Sequence, residues 1–263
     1  VMRGEGGLIS GVSIAEAMRR PFDNFTLIRL VLASAVVVSH GFSVTTGRVM
    51  DEPLTRLTGS TLGEHAVNGF FAISGFLVAM SYDRRGPRDY ALARALRIFP
   101  GLIAAVLVTG LLIGAAMTRL PLSAYYADPQ LWRFVTATIG NFKSTAPLPG
   151  VFEGNPFRFS MGTVWTLKYE VLCYAGVFAA GLLGLLRRPP VAAAFVVAAA
   201  LAVTALAAVW PDAGKGTETT ARLILLFSAG SGLYVWRERA RLSPALMALA
   251  VAAPMILSAT PAY

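Results

Sequence analysis

The chain has 263 residues, of which 56% are hydrophobic and only 14% are charged, and its mean hydropathy is +0.62. This composition excludes an ordinary soluble domain, because the apolar residues fall in blocks of about 17 or more, the length of a membrane span. The net charge of +9 favours basic loops that orient a membrane protein over nucleic-acid binding. We therefore predict an all-α polytopic transmembrane helix bundle, a single domain over residues 1–263. It has about seven spans, near 25–44, 65–82, 98–118, 163–186, 191–210, 220–236 and 244–260.

The basic residues predict an orientation for these spans. Residues 1–24 are a polar lead with no cleavable signal peptide, so the first span is its own insertion signal. With the amino terminus inside, the inner segments carry 13 Lys and Arg in 50 residues, whereas the outer segments carry 8 in 77. Because Lys and Arg accumulate on the cytoplasmic side, the lead is predicted to be cytoplasmic.

The first span contains two ionisable side chains, Arg29 and His40. Such residues are costly in a bilayer core and indicate function by default. Eleven helical residues make three turns plus roughly 20°, so both side chains project from one face, about 16 Å apart along the axis. In the predicted orientation, Arg29 lies in the inner leaflet and His40 near the outer end.

The second span includes Asn68 and the segment Phe70-Phe-Ala-Ile-Ser-Gly-Phe76, whose small Ser74 and Gly75 suit close helix packing. An arginine-dense inner loop follows. Arg94 and Arg97, three apart, share one face if helical. Pro100 is predicted in the first turn of the third span.

The longest polar stretch, residues 118–162, is predicted as an outer loop with a short helix at about 130–142. Its aromatic content argues for order. The fourth span then opens with Trp165, where an interfacial aromatic belongs, and Glu170, about 10 Å below the start of that span. The single cysteine, Cys173, is predicted to pack inside a span, and the sequence has no metal-ligand spacing.

This layout suits a reaction across the membrane. A phosphate-bearing donor would dock on Arg94, Arg97 and Arg29, because guanidinium forks match phosphate geometry. A hydroxyl acceptor would approach from outside. Histidine is suited to take the hydroxyl proton near neutral pH, and the Glu170 carboxylate would orient the His40 ring.

Each residue alone also has a plainer interpretation. Arg29 would snorkel to headgroups, His40 would pack between helices, and Arg94 and Arg97 would only set the topology. Trp165 would be an interface anchor. Glu170 would pair with Lys168, although side chains two apart on a helix do not face each other.

Four stretches in order resemble the acyltransferase-3 family of polytopic membrane O-acyltransferases. They are Arg29-x10-His40, Phe70-Phe-Ala-Ile-Ser-Gly-Phe76, Arg94-Ala-Leu-Arg97-Ile-Phe-Pro100 and Gly162-x-x-Trp-Thr-Leu-x-Tyr-Glu170. Two positions depart from the pattern: Asn68 stands where many members carry an acidic residue, and Met161 where an asparagine often precedes the glycine.

The resemblance implies transfer of an acyl group, usually acetyl, from cytoplasmic acyl-CoA to a hydroxyl, often on an envelope or exported carbohydrate. It implies His40 as the catalytic residue with Glu170 as its support, and Arg29, Arg94 and Arg97 on the donor side. Trp165, Ser74 and Asn68 are the candidate acceptor-binding residues. No resident cofactor or metal is implied, and acyl-CoA is a co-substrate. The implied location is the bacterial inner membrane.

Two other functions stay open at this point. A transporter or flippase of a polar solute also buries His and Glu relays. Family members commonly have about ten spans, so a seven-span chain would alternatively be a truncated, inactive member.

Overall fold

A computed structural model describes residues 12–19, 24–143, 145–209 and 215–241. Within these ranges the regular elements are helices, and the only extended pairing is one antiparallel bridge between Ser13 and Arg241. This confirms the predicted all-α class. The contacts divide the chain into two compact units: residues 1–43, 48–80 and 184–263 form the first, and residues 44–47 and 81–183 form the second.

Eleven α-helices are described. They are α1 (Ile14–Ala17), α2 (Phe25–Thr46), α3 (Pro53–Thr58), α4 (Leu62–Arg85), α5 (Pro87–Leu107), α6 (Gly114–Met117), α7 (Leu122–Ala127), α8 (Pro129–Asn141), α9 (Leu167–Leu182), α10 (Pro189–Val209) and α11 (Lys215–Val235). A π-helical stretch, Val108–Ile113, joins α5 to α6, so that Pro87–Met117 is continuous. A 3₁₀ turn, Gly162–Thr166, precedes α9.

Three helices of the described chain are long and apolar enough to cross a membrane: Phe25–Thr46, Leu62–Arg85 and Pro87–Met117. They cover the first three predicted spans. Helices α9, α10 and α11 occupy the fourth, fifth and sixth predicted positions. The seventh, residues 244–260, lies outside the described residues.

In the first unit, glycines allow helices to approach closely. A Cβ at Gly69 of α4 would lie 3.0 Å from the Leu32 side chain of α2. At the crossing of α4 with α11, a Cβ at Gly75 would overlap the carbonyl oxygen of Phe227, and one at Gly230 would overlap that of Ala72. Small residues at such crossings let backbones touch, as the Ser74–Gly75 pair indicated.

In the second unit, the arginine-dense loop is largely helical, and the prediction that Pro100 starts the third helix is wrong. Gly86, at φ +78°, separates α4 from α5, and Pro87 occupies the first turn of α5. Pro100 lies inside this helix. Proline is preferred in the first turn of a helix, and only Pro87 follows a break in the helical backbone, at Gly86.

The stretch 118–162 is folded, as its aromatic content indicated. Helix α8 matches the predicted helix at about 130–142, and Asp128 caps it by accepting from the backbone N–H of Gln130 at 2.7 Å. Tyr125 of α7 is fully buried and donates to the carbonyl of Gly110, in the π-helical stretch, at 2.6 Å. Buried Leu131, Phe134, Leu148 and Val151 complete a core against α5.

Candidate functional site

Arg29 and His40 lie on one continuous helix, α2, as predicted. Both side chains are half-buried, whereas most of their neighbours on this helix are exposed. The only fully buried residue of α2 is Ser39, directly before His40. It donates a hydrogen bond to the carboxylate of Glu52.

Asn68 and Ser74 are half-buried on α4. The Oδ1 atom of Asn68 is buried and has no hydrogen-bond partner within the described structure. Ser74 is next to the glycine crossing with α11. Because the two positions are six apart, they project from different faces of the helix. Of the two, Asn68 is the one with a buried polar atom that has no partner among the described residues.

Arg94 lies on a platform of two tyrosine rings. Its guanidinium carbon is 5.9 Å from the Tyr90 ring centroid and 5.3 Å from that of Tyr174. Cation–π contacts of this kind hold the planar group in one orientation. The Nε atom of Arg94 is buried and has no partner among the described residues, while Arg97 is exposed.

A cleft of about 230 Å³ opens between α5 and α9 beside Arg94. Its walls are apolar and aromatic, with Ile98 and Phe99 on one side and Val171 and Phe178 on the other. Such a lining with a single oriented cation is typical of a binding site for a molecule that is partly apolar and partly anionic.

Glu170 lies in the first turn of α9, where the helix dipole favours a negative charge. It accepts a hydrogen bond from the Tyr174 hydroxyl, one turn further along the helix. Lys168 does not face Glu170: its ammonium group lies 4.6 Å from the Tyr169 ring centroid. Trp165 is half-buried in the 3₁₀ turn and packs edge-on against Tyr169.

Tyr174 thus links two of the predicted site residues, since its ring supports Arg94 and its hydroxyl binds Glu170. Arg94, Arg97, Glu170 and Trp165 all belong to the second unit. Arg29, His40, Asn68 and Ser74 belong to the first. The pairing of His40 with Glu170 stays a prediction.

Two further residues were missed by the sequence analysis. Arg222 is half-buried on α11, and its Nε atom is buried without a described partner. The sequence signals it only as an arginine about two turns into the apolar helix α11. Glu52 is only 3% exposed although it lies in a polar connection. Its position before Pro53 indicates a helix start but gives no sign of burial.

A family model described as an acyltransferase domain, acyltransferase-3, matches residues 22–263. Among curated proteins, the chain is similar to an O-acetyl transferase of Shigella phage Sf6, with 34% identity over 152 residues. That alignment covers 57% of this chain and 43% of the phage protein, so the chain spans less than half of that relative. No solved structure matches. Because the family model covers nearly the whole sequence, this chain belongs to the acyltransferase-3 family.

Proposed function

We propose that this protein is a membrane O-acyltransferase that moves an acyl group, of which acetyl is the simplest, from cytoplasmic acyl-CoA to a hydroxyl. The preferred acceptor is an envelope or exported carbohydrate. Family membership and the similarity to an O-acetyl transferase support the reaction type. We further propose about seven spans with a cytoplasmic amino terminus, in a bacterial inner membrane.

The assignment of the donor site rests on one observation, the environment of the buried Nε–H group of Arg94. This group has no acceptor among the described residues, so it has lost its hydration without gaining a partner there. A phosphate oxygen supplies such an acceptor in a charge-assisted hydrogen bond. The apolar cleft beside it suits the uncharged arm of acyl-CoA. Arg97, exposed one turn away, adds a second cation, and Arg29 is proposed to contact the donor from α2.

In the proposed reaction the acceptor oxygen attacks the thioester carbonyl carbon while His40 removes the hydroxyl proton. The carbon–sulfur bond then breaks, and the protonated imidazole returns the proton to the departing thiolate. Glu170 is proposed to stabilise the charged imidazole. A carboxylate that already accepts from Tyr174 keeps free lone pairs for a second donor.

The acceptor side is proposed to include the unpaired Oδ1 of Asn68 together with Trp165 and Ser74. An amide oxygen accepts from a sugar hydroxyl, and an indole ring packs against the apolar face of a sugar. Asn68 stands where many relatives are acidic, so the acceptor contact here is uncharged.

The test is incubation of membranes containing the protein with acetyl-CoA labelled in the acetyl group. We expect label to appear on carbohydrate, and His40→Ala to reduce the rate by a factor of about 10² to 10⁴. His65→Gln is the matched control, because the chain has only these two histidines.

Full transfer by the His40→Ala protein would refute the catalytic assignment. Flux of a polar solute without transfer of label would instead identify a transporter. The absence of both activities would favour an inactive member of the family.

A further inference from the structure

The carboxylate of Glu52 connects three parts of the first unit. It lies in the connection between α2 and α4 and is only 3% exposed. Its Oε2 atom accepts from the hydroxyl of Ser39 on α2 at 2.7 Å, and its Oε1 atom accepts from the backbone N–H of Leu62 at 2.6 Å. A buried carboxylate is costly unless it is hydrogen-bonded, and both oxygens of Glu52 are.

The amino end of α4 favours this charge. Leu62 is the first residue of that helix, so its N–H has no partner within the helix. The partial positive charge at a helix amino terminus stabilises a nearby carboxylate. A second carboxylate, Glu64, caps the same helix by accepting from the backbone N–H of Thr61 at 2.8 Å. Glu52 differs from Glu64 because its other oxygen reaches α2.

The contact between α2 and α4 at this point is tight. Ser39 is itself only 3% exposed. A Cβ at Gly63 of α4 would lie 2.8 Å from the Ser39 hydroxyl oxygen, closer than packed atoms allow. The glycine therefore permits the approach, and the hydrogen bond to Glu52 fixes the rotation of α2 about its axis.

We propose that Glu52 is a positioning residue for His40. Adjacent residues on a helix differ in direction by about 100°, so fixing the side chain of Ser39 also fixes the direction of His40. Without the bond, the outer end of α2 rotates and the imidazole leaves its productive orientation. The inference rests on the proposed function for His40.

The first test is steady-state kinetics of acetyl transfer by the full chain. We expect Glu52→Ala to lower kcat by about tenfold to hundredfold, the cost of a misplacement near 1 Å, with donor KM unchanged. Glu52→Gln should retain most of kcat, because its amide oxygen accepts from Leu62 and its NH₂ donates to Ser39. Glu64→Ala, which removes a cap of the same helix but no contact with α2, should leave kcat unchanged.

The second test does not depend on activity. In a His65→Gln background, His40 is the only histidine, and its carbethoxylation by diethyl pyrocarbonate reports its exposure and orientation. We expect Glu52→Ala and Ser39→Ala to change this rate by about fivefold, the ratio that corresponds to one hydrogen bond, and Glu64→Ala not to change it. Ser39→Ala keeps the hydrogen bond between Glu52 and Leu62, so it can replace Glu52→Ala in this test if Glu52→Ala does not fold.

The outcomes distinguish failure of the positioning role of Glu52 from failure of the proposed acyltransferase function. An unchanged labelling rate in folded Glu52→Ala and Ser39→Ala, or a loss of activity that only follows the folded fraction, overturns the positioning role. If the wild-type protein transfers no acetyl group, the proposed function fails, whereas the labelling rates still decide whether Glu52 orients His40.

Discussion

At the scale of single residues, Arg94 is the most constrained of the proposed donor-side cations. It lies over two aromatic rings, whereas Arg97 is exposed on the same helix. Exposed arginines are hydrated and mobile, and each contributes little as an isolated charge. The two arginines look equivalent in the sequence, but the structure holds the guanidinium of Arg94 in place and leaves that of Arg97 exposed.

Arg94→Lys should weaken donor binding more than Arg97→Lys does. An ammonium group is a point charge that neither donates bidentately nor stacks well on tyrosine, so donor KM should rise by about tenfold, equivalent to about 1.4 kcal/mol. The measurement is donor KM in membranes. Tyr174→Phe is the control: it keeps the ring below Arg94 and removes only the hydroxyl that binds Glu170. An equal effect of the two lysine substitutions would contradict the special role of Arg94.

At the scale of elements, the contact of α7 with the π-helical stretch organises the segment 118–162. A π turn leaves carbonyl groups without their usual helical partners, and Tyr125 and Tyr126 donate to those of Gly110 and Leu111. Glycine at position 114 is required, because a Cβ there would overlap the Tyr125 hydroxyl. Such π turns often occur near functional sites.

Tyr125→Phe should destabilise the second unit by about 1–3 kcal/mol, because the buried carbonyl of Gly110 loses its donor. Thermal unfolding in detergent would measure this loss. Tyr126→Phe is the matched control: its hydroxyl makes the equivalent bond, but the side chain is 41% exposed, so water replaces it at little cost.

The Tyr125 contact should also depend on pH. Burial raises the pKa of the Tyr125 hydroxyl to about 12, above the value near 10 of a free tyrosine. The folded state therefore holds this proton more strongly. The contribution of the protonated Tyr125 hydroxyl to the free energy of unfolding is complete below about pH 10 and is lost as the pH rises towards 12. The stability difference between the wild type and Tyr125→Phe should shrink over this interval, and a constant difference would show that the hydroxyl is not buried.

Gly75→Ala should disrupt the crossing of α4 with α11. The added methyl group would overlap the carbonyl oxygen of Phe227, and a backbone atom cannot move aside as a flexible side chain does. We expect a loss of about 1–3 kcal/mol, measured by thermal unfolding. Gly176→Ala is the control, because its Cβ would meet nothing within 4 Å and alanine favours a helix. Equal stability of the two variants would contradict the observed crossing.

At the scale of the whole molecule, the sequence predicted helices better than their ends. Apolar blocks identified the positions of α2, α4 and α9 to α11, because burial in lipid needs long apolar helices. The start of α5 was misplaced, because Pro100 was assigned to its first turn, whereas the helix begins at Pro87. The burial of Glu52 was not predictable, because it depends on Ser39 and Leu62 meeting in three dimensions. The link from Arg94 through Tyr174 to Glu170 likewise required the packing of α5 against α9.

The proposed orientation can be tested with introduced cysteines. In a Cys173→Ala background, Glu153→Cys lies in the segment predicted outside and Arg88→Cys in the segment predicted inside, and both positions are exposed. A membrane-impermeant maleimide should label Glu153→Cys in intact cells and Arg88→Cys only after permeabilisation. The reverse pattern would place the amino terminus outside and would exclude a cytoplasmic donor at Arg94.

The fastening of the segment 118–162 to α5 has a consequence for protein engineering. An exchange of this segment between relatives would be destabilising if it replaced only the exposed connection. Tyr125 needs the π turn and the bare backbone of Gly114, and Thr109 contacts Met161 at 3.6 Å. The smallest piece that can be exchanged is therefore residues 108–164, because it includes both the segment and the part of the long helix that the segment packs against.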